Sequence, residues 1–433
     1  MSNHTMPGPR PSTRSHRPQK PTIRTAFSPE NSLNFLRLVF AALVMIGHGW
    51  ALGQFGLCRL GRYEVSALAV DSFFVISGFL VTRSNVQVGT TARFLWHRFL
   101  RIYPAFWVCL VVVAGFFAPL GWLHAHGSLD GFLNAAHGPV QYIVRNSTLH
   151  MQFYDVSGTP AGNAPGTAPA TDPGSWNGAL WSLWWEFLCY LGVAVLGTIG
   201  VLRRRRLVVA VLTAAMWSAL VVHWLAPDVA GALLGSPFAE GALRLGPLFL
   251  CGSLLFLYGD RVPMSGRLAA AAAVAVTGSM FLSEPHLILA PPLAYLCLWL
   301  GIRLPFHRIG AKNDLSYGLY IYSSPVQHLL ALHGLHRHGV LVYFSAFTVG
   351  SVALAAGSWF AVEKHVLKLK HWTPGRPRAA RPFFWPTHGA RRRVGSHVAP
   401  RMAFPRQEDR LGKPVRGTLP ETATTEHPGA TGT

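Results

Sequence analysis

Ten apolar runs follow one another along this chain, most of them long enough to cross the roughly 30 Å hydrocarbon core of a bilayer. Their cores lie at about 33–52, 67–81, 102–120, 179–201, 207–225, 238–258, 268–282, 287–304, 315–332 and 340–362. Runs of this kind restrict the backbone severely, because every buried N–H and C=O must then be satisfied within the protein. The runs are near-continuous, without the short alternation of a membrane β-barrel. An all-α, polytopic transmembrane helix bundle of about ten spans is therefore expected. Only 13% of the 433 residues are charged, about half the share in soluble domains.

The net charge of +21 invites a nucleic-acid reading, but its distribution favours membrane topology. Arg83, Arg93, Arg98 and Arg101 fall between spans two and three, and Arg203 to Arg206 between four and five. Arg261 and Arg267 follow span six, and Arg303, Arg308 and Lys312 follow span eight. The intervening loops are poorer in cations, with Arg59, Arg62, Arg145 and Arg337 as exceptions. The positive-inside rule then puts both termini in the cytoplasm. No nucleic-acid partner is expected, and membrane lipid is.

Three regions follow. Residues 1–31 form a basic tail expected to be disordered, with no apolar core of a signal peptide. Residues 32–363 form the membrane domain, including a long extracytoplasmic loop at 121–178 whose Gly, Pro, Ala, Ser and Thr content suggests flexibility. Residues 364–433 form a second basic tail, largely disordered, whose Arg391-Arg392-Arg393 run suits anionic headgroups. The five cysteines, without a CxxC pair, suit small buried hydrophobes, and the scattered histidines after span nine lack the companions of a metal site.

Ionisable residues inside apolar runs are costly and default to function. Arg37 and His48 lie eleven residues apart in NFLRLVFAALVMIGHGWAL, on nearly one helix face and separated by roughly 16 Å of rise. A cation near one membrane face and an imidazole deeper in suit anion binding coupled to proton chemistry. Asp71 in VDSFFVISGFLVT either orients a partner or caps a helix. Ser77-Gly78 in the same run permits close packing. Arg98 and Arg101 in RFLWHRFLRIYP either grip phosphates or only set topology. Glu186 in NGALWSLWWEFLCY needs a partner at a depth comparable with that of His48, among interfacial tryptophans that include Trp181. Tyr317, Tyr320, Tyr322 and Ser323 in LSYGLYIYSSPVQHLL either line a cavity or bond neighbouring helices.

In this order, those five segments resemble the integral-membrane acyltransferase-3 family over roughly residues 32–365. The resemblance implies transfer of an acetyl or other short acyl group from acyl-coenzyme A to a hydroxyl of a glycan, lipid or secondary metabolite. It implies that His48 is catalytic, that Arg37, Arg98 and Arg101 bind the acyl donor, and that Glu186 matches a family carboxylate. Asp71 joins the catalytic set, and Trp181, Ser182 and Tyr317 are expected to contact substrate. Either carboxylate is expected to fix the His48 tautomer. Acyl-coenzyme A enters as co-substrate, with no tightly bound cofactor and no metal. The expected location is a bacterial inner membrane, as a membrane-only version of the family. The alternative is a transporter or flippase of a lipid-linked or small organic substrate, which also needs buried charge and a cavity.

The charge alternation makes a direct topology prediction. A reporter fused after Pro173 is expected outside, and one fused after Arg206 inside. An inside signal at Pro173 overturns the assignment.

Overall fold

The computed structural model describes residues 21–160, 174–228 and 236–372. The tail at 1–20, part of the long loop at 161–173 and the Arg391–Arg393 run lie outside the described residues.

Among the described residues, ten long helices dominate. They are α1 (Leu33–Leu52), α2 (Val65–Val88), α3 (Thr91–Val112), α4 (Trp181–Thr198) and α5 (Arg206–Leu225). The second half supplies α6 (Pro237–Leu257), α7 (Gly266–Ser279), α8 (His286–Arg303), α9 (Ser316–Leu332) and α10 (Val340–Ser358). A π-turn at Val113–Phe117 carries α3 on into Ala118–His126, and a second at Trp359–Glu363 extends α10. The only strands among these residues are a two-residue hairpin, Arg59–Leu60 with Tyr63–Glu64.

Each expected apolar run is a helix, but eight, not ten, are long and apolar enough to cross a membrane. The other two are α7, with 14 residues, and α9, with 17. The reason differs between them. Helix α7 is short and packs chiefly on α8. Helix α9 is buried at every residue from Ser316 to Gln327, so its polar SYGLYIYSSP sequence meets protein on all sides. Its tyrosines bond backbone carbonyls, Tyr317 to Ile102 at 2.9 Å and Tyr320 to Ala179 at 2.8 Å.

Two helix pairs hold the centre. Helices α2 and α6 pack most intimately, because glycines remove the side chains between them. A Cβ on Gly78 would strike the Phe249 carbonyl oxygen, and one on Gly252 the Val75 carbonyl oxygen. The seam also carries polar links: Thr82 donates to Ser253 at 2.9 Å, and Ser253 reaches the Gly78 carbonyl at 3.2 Å. Helix α9 packs between α1 and α10. Gly49 of α1 leaves room for Phe347 and Gln327, and the Gln327 amide donates to the Met45 carbonyl at 2.7 Å.

Two segments differ from their expected flexibility. Pro21 to Phe27 is folded, with a short helix at Ile23–Ala26. Ile23 is buried and bonds the Val262 carbonyl at 2.9 Å, so one apolar side chain and a bridge to Pro263 fasten this part of the tail. The long loop is also built in its described parts. It contains a helix at Pro139–Asn146 and buries Phe132, Tyr142, Leu149, Val156 and Trp176. Asn146 bonds the Phe153 carbonyl and the Gln152 amide, doing the work that a longer helix or sheet would do. The Gly/Pro composition concealed these few large anchors.

The α2–α6 seam gives paired substitutions of opposite sign. Gly78→Ala is expected to destabilise by about 1–3 kcal/mol through overpacking. Gly192→Ala, where a new Cβ meets open space in α4, is expected to be neutral or to stabilise by up to about 1 kcal/mol. Thermal unfolding in one detergent checks both. Equal effects would remove the close-approach explanation.

Candidate active site

The charged centre of the bundle is Asp314, in the short connection between α8 and α9. Its Oδ2 accepts from Arg37 of α1 at 3.1 Å and from Arg101 of α3 at 2.5 Å. Its Oδ1 accepts from the Ser316 hydroxyl at 2.5 Å and the Ser316 amide at 3.1 Å, at the start of α9. One carboxylate thus ties three helices. Burial opposes its charge, but Arg101, then Arg37, and the Ser316 bonds hold Asp314 well below the usual carboxylate range. Arg101 also approaches Glu363 at 3.9 Å, which the π-turn after α10 brings to this end of α3.

A cleft opens beside this junction, enclosing about 480 Å³ with its solvent-open part included. Arg37, Ser316 and Tyr317 line it near the junction, and Ser77, Ser182, Glu186 and Tyr320 line its depth. Phe73, Phe74, Val70 and Leu183 complete an apolar wall. Glu186 Oε1 accepts from Tyr190 at 2.6 Å and Ser77 at 2.9 Å. Ser182 and Tyr320 hydroxyls lie 2.6 Å apart. Both hydroxyls also reach the Ala179 carbonyl, Tyr320 at 2.8 Å and Ser182 at 3.4 Å.

Of the expected residues, Arg37, Ser182, Glu186 and Tyr317 share this cleft. Arg101 joins through Asp314, and the Arg98 guanidinium lies over the Tyr190 ring at 5.6 Å. His48, Asp71 and Trp181 are not in the lining. The expected hydrogen bond from Glu186 or Asp71 to His48 is absent, because both carboxylates have other partners. His48 makes no hydrogen bond to a described residue. Its electrostatic neighbours are Glu64, just before α2, and His328 of α9.

Asp71 belongs to a second network toward the opposite end of the bundle. It is fully buried and accepts from Tyr63 at 2.5 Å and Arg244 of α6 at 3.3 Å. Tyr63 also meets His286 Nε2 at 2.9 Å, and His286 Nδ1 meets Glu284 at 2.7 Å. Burial and the Asp71 charge push the Tyr63 phenol up, so it remains a hydrogen-bond donor. The His286 hydrogen bond draws the Glu284 carboxyl down against its burial. Arg244 lies over the Trp181 ring at 5.6 Å.

Asp314, Tyr190, Glu363 and Arg244 were missed by sequence reasoning, and Ser77 was read only as a packing residue. Signals for two of them existed. Asp314 is the only carboxylate between Glu284 and Glu363, and Arg244 lies inside an apolar run as Arg37 does.

Asp314→Asn would keep the shape of the junction but leave two arginines without their anion. A loss of about 1.5–3 kcal/mol is expected at neutral pH, the scale of hydrogen bonds to charged groups. Because the folded carboxyl titrates below the unfolded one, its contribution is complete above the ordinary aspartate range. It declines only as pH falls below about 4. Unfolding measurements should therefore give a constant gap between the two proteins above that pH and a narrowing one below it. A gap already narrowing near neutrality contradicts the assignment.

The comparisons with known proteins follow this geometry closely in extent. The acyltransferase domain family matches residues 30–361. The chain is 31% identical over 369 residues to nodulation protein 10 of Rhizobium leguminosarum bv. viciae, covering 78% of this chain and 94% of that protein. It is 27% identical over 350 residues to an O-acetyl transferase of Shigella phage Sf6, covering 78% and 96%. No solved structure matches. The family match takes in α1 to α10 together with Arg37, Arg101, Glu186 and Asp314, and the chain belongs to the acyltransferase-3 family, as a multi-pass membrane acyltransferase.

Proposed function

We propose that the protein moves an acetyl or other short acyl group from acyl-coenzyme A to a hydroxyl of a glycan, lipid or secondary metabolite. The observation that carries this reading is the convergence on Asp314 of Arg37, which lines the cleft, and Arg101. Guanidiniums held this way present forked donors to phosphate oxygens. The relative described as an O-acetyl transferase supports acetyl as the group and oxygen as its destination.

In this reading Arg37, Arg98 and Arg101 hold the phosphates of the donor, and the pantetheine arm extends into the bundle. Asp314 keeps two of the three arginines aimed when no donor is bound. Tyr317, Ser182 and Trp181 serve the substrates, with Glu186 fixed by Ser77 and Tyr190 as the acceptor-facing carboxylate.

His48 takes the proton from the acceptor hydroxyl as its oxygen attacks the thioester carbonyl. The C–S bond breaks, and the imidazolium returns the proton to the coenzyme A thiolate. Glu64, just before α2, is the carboxylate within electrostatic reach of His48. Asp71 acts at a distance, by fixing Arg244 and Tyr63. The arginine end of the bundle would face the cytoplasm, with both termini, in a bacterial inner membrane.

His48→Gln tests the chemistry. Glutamine keeps hydrogen-bonding capacity but cannot accept a proton at neutral pH. Acyl transfer at matched expression is expected to fall by about 10²–10⁴, with coenzyme A binding retained. Activity within a few-fold of wild type removes His48 from the mechanism. Release of free coenzyme A by the purified wild-type protein separates this reading from a transporter.

A further inference from the structure

The segment after α10 folds back over the first turns of α3. The Trp96 indole donates to the Leu369 carbonyl at 3.1 Å, and His97 Nε2 donates to the Lys370 carbonyl at 3.2 Å. Trp372 closes edge-on against Trp96, with ring centroids 5.8 Å apart. These contacts bring Lys370 within electrostatic reach of Arg101 and Arg98, and of the Asp314 carboxylate. His97 in turn feels Arg93, Arg98 and Lys370.

The cluster is poorly compensated. Arg101 has Asp314 and Glu363. Arg93 and Arg98 make no hydrogen bond or ion pair to a described residue, and the Nε atom of each is buried without a partner. The Arg98 guanidinium rests only on the Tyr190 ring. Folding thus brings Lys370 toward Arg98, which has no ion-pair partner among the described residues, and toward Arg101, whose charge is already met, so a further anion would be favoured there. The carboxylates nearby, Asp314 and Glu363, already serve Arg37 and Arg101.

We propose that Lys370, Arg93 and Arg98 form a subsite for a phosphomonoester dianion on the nucleotide end of the donor. This inference rests on the acyl-coenzyme A reading and sharpens it. Coenzyme A carries a 3′-phosphate on its ribose in addition to the diphosphate, and a phosphopantetheine carrier has no such group. The Arg37–Arg101 junction would meet the diphosphate, and the segment carrying Lys370 would read the 3′-phosphate. The enzyme would then select a 3′-phosphorylated nucleotide thioester over other acyl carriers.

The test is a calorimetric titration of the full chain, in lipid nanodiscs, with coenzyme A and with 3′-dephospho-coenzyme A. Wild type is expected to bind coenzyme A at least about tenfold more tightly, the scale of one charge-assisted contact. Lys370→Gln and Arg93→Gln should each bring that ratio toward one while leaving the affinity for the dephospho ligand nearly unchanged. Lys370→Arg should restore it. Lys364→Gln removes a nearby cation that lies over Phe360 and should leave the ratio intact.

Equal wild-type affinities overturn the subsite but leave the donor reading standing. So does a Lys370→Gln protein that weakens both ligands in proportion, or a Lys364→Gln protein that changes the ratio as much. Failure of wild type to bind either ligand overturns both readings together.

Discussion

Asp314 is the constraint on which the arginine end of the molecule depends. Two guanidiniums, from α1 and α3, share one of its oxygens, and α9 begins on the other. Removing any of these groups from water is expensive, and mutual attraction offsets that cost only with good geometry and full hydrogen bonding. The bundle supplies both. The consequence is preorganisation: Arg37 and Arg101 are already ordered by Asp314, which is what the proposed donor site would require of them. Glu363, 3.9 Å from Arg101, adds a second carboxylate to the junction.

The rest of the fold serves to hold that junction beside a cleft. Glycines at 78 and 252 draw α2 against α6, and Ser77, one residue from that seam, is thereby fixed against Glu186. Helix α9 contributes differently. Sealed within the bundle, it spends its tyrosine hydroxyls on carbonyls of neighbouring segments and presents Tyr317 and Tyr320 to the cleft. Hydrogen bonds of this kind have no water to compete with, so they specify which face of α9 meets the cavity.

How much of this could be read from residue order depends on the physics of each feature. The helices α1, α5, α6 and α8 were legible because the bilayer demands long apolar runs, and composition alone reveals them. The extent of α9 was legible too, but its central position was not, since burial in protein and burial in lipid favour similar side chains. Arg37, Glu186 and Tyr317 were found because a polar group inside an apolar run is conspicuous. Asp314 sits in a short polar connection, where a carboxylate attracts no notice. Its importance comes from residues 277 and 213 positions away. The partner of Glu186 was also misjudged, because depth along a helix does not say which way a side chain turns.

The contrast between the two charged networks argues where the chemistry lies. Around Asp71, hydrogen bonds run from Glu284 through His286 and the neutral Tyr63 to Asp71 and on to Arg244, and each carboxylate has a donor. That network ties α2, α6 and the start of α8 together, with the Arg244 Nε buried and without a partner among the described residues. Around Asp314, Arg98 and Arg93 make no ion pair to a described residue, and Lys370 lies within electrostatic reach of Arg101, Arg98 and Asp314. His48 has a related property, since its ring makes no hydrogen bond to a described residue. The Asp71 network at one end, the Asp314 junction at the other and a His48 ring without a hydrogen bond to a described residue are the features on which the proposed transfer depends.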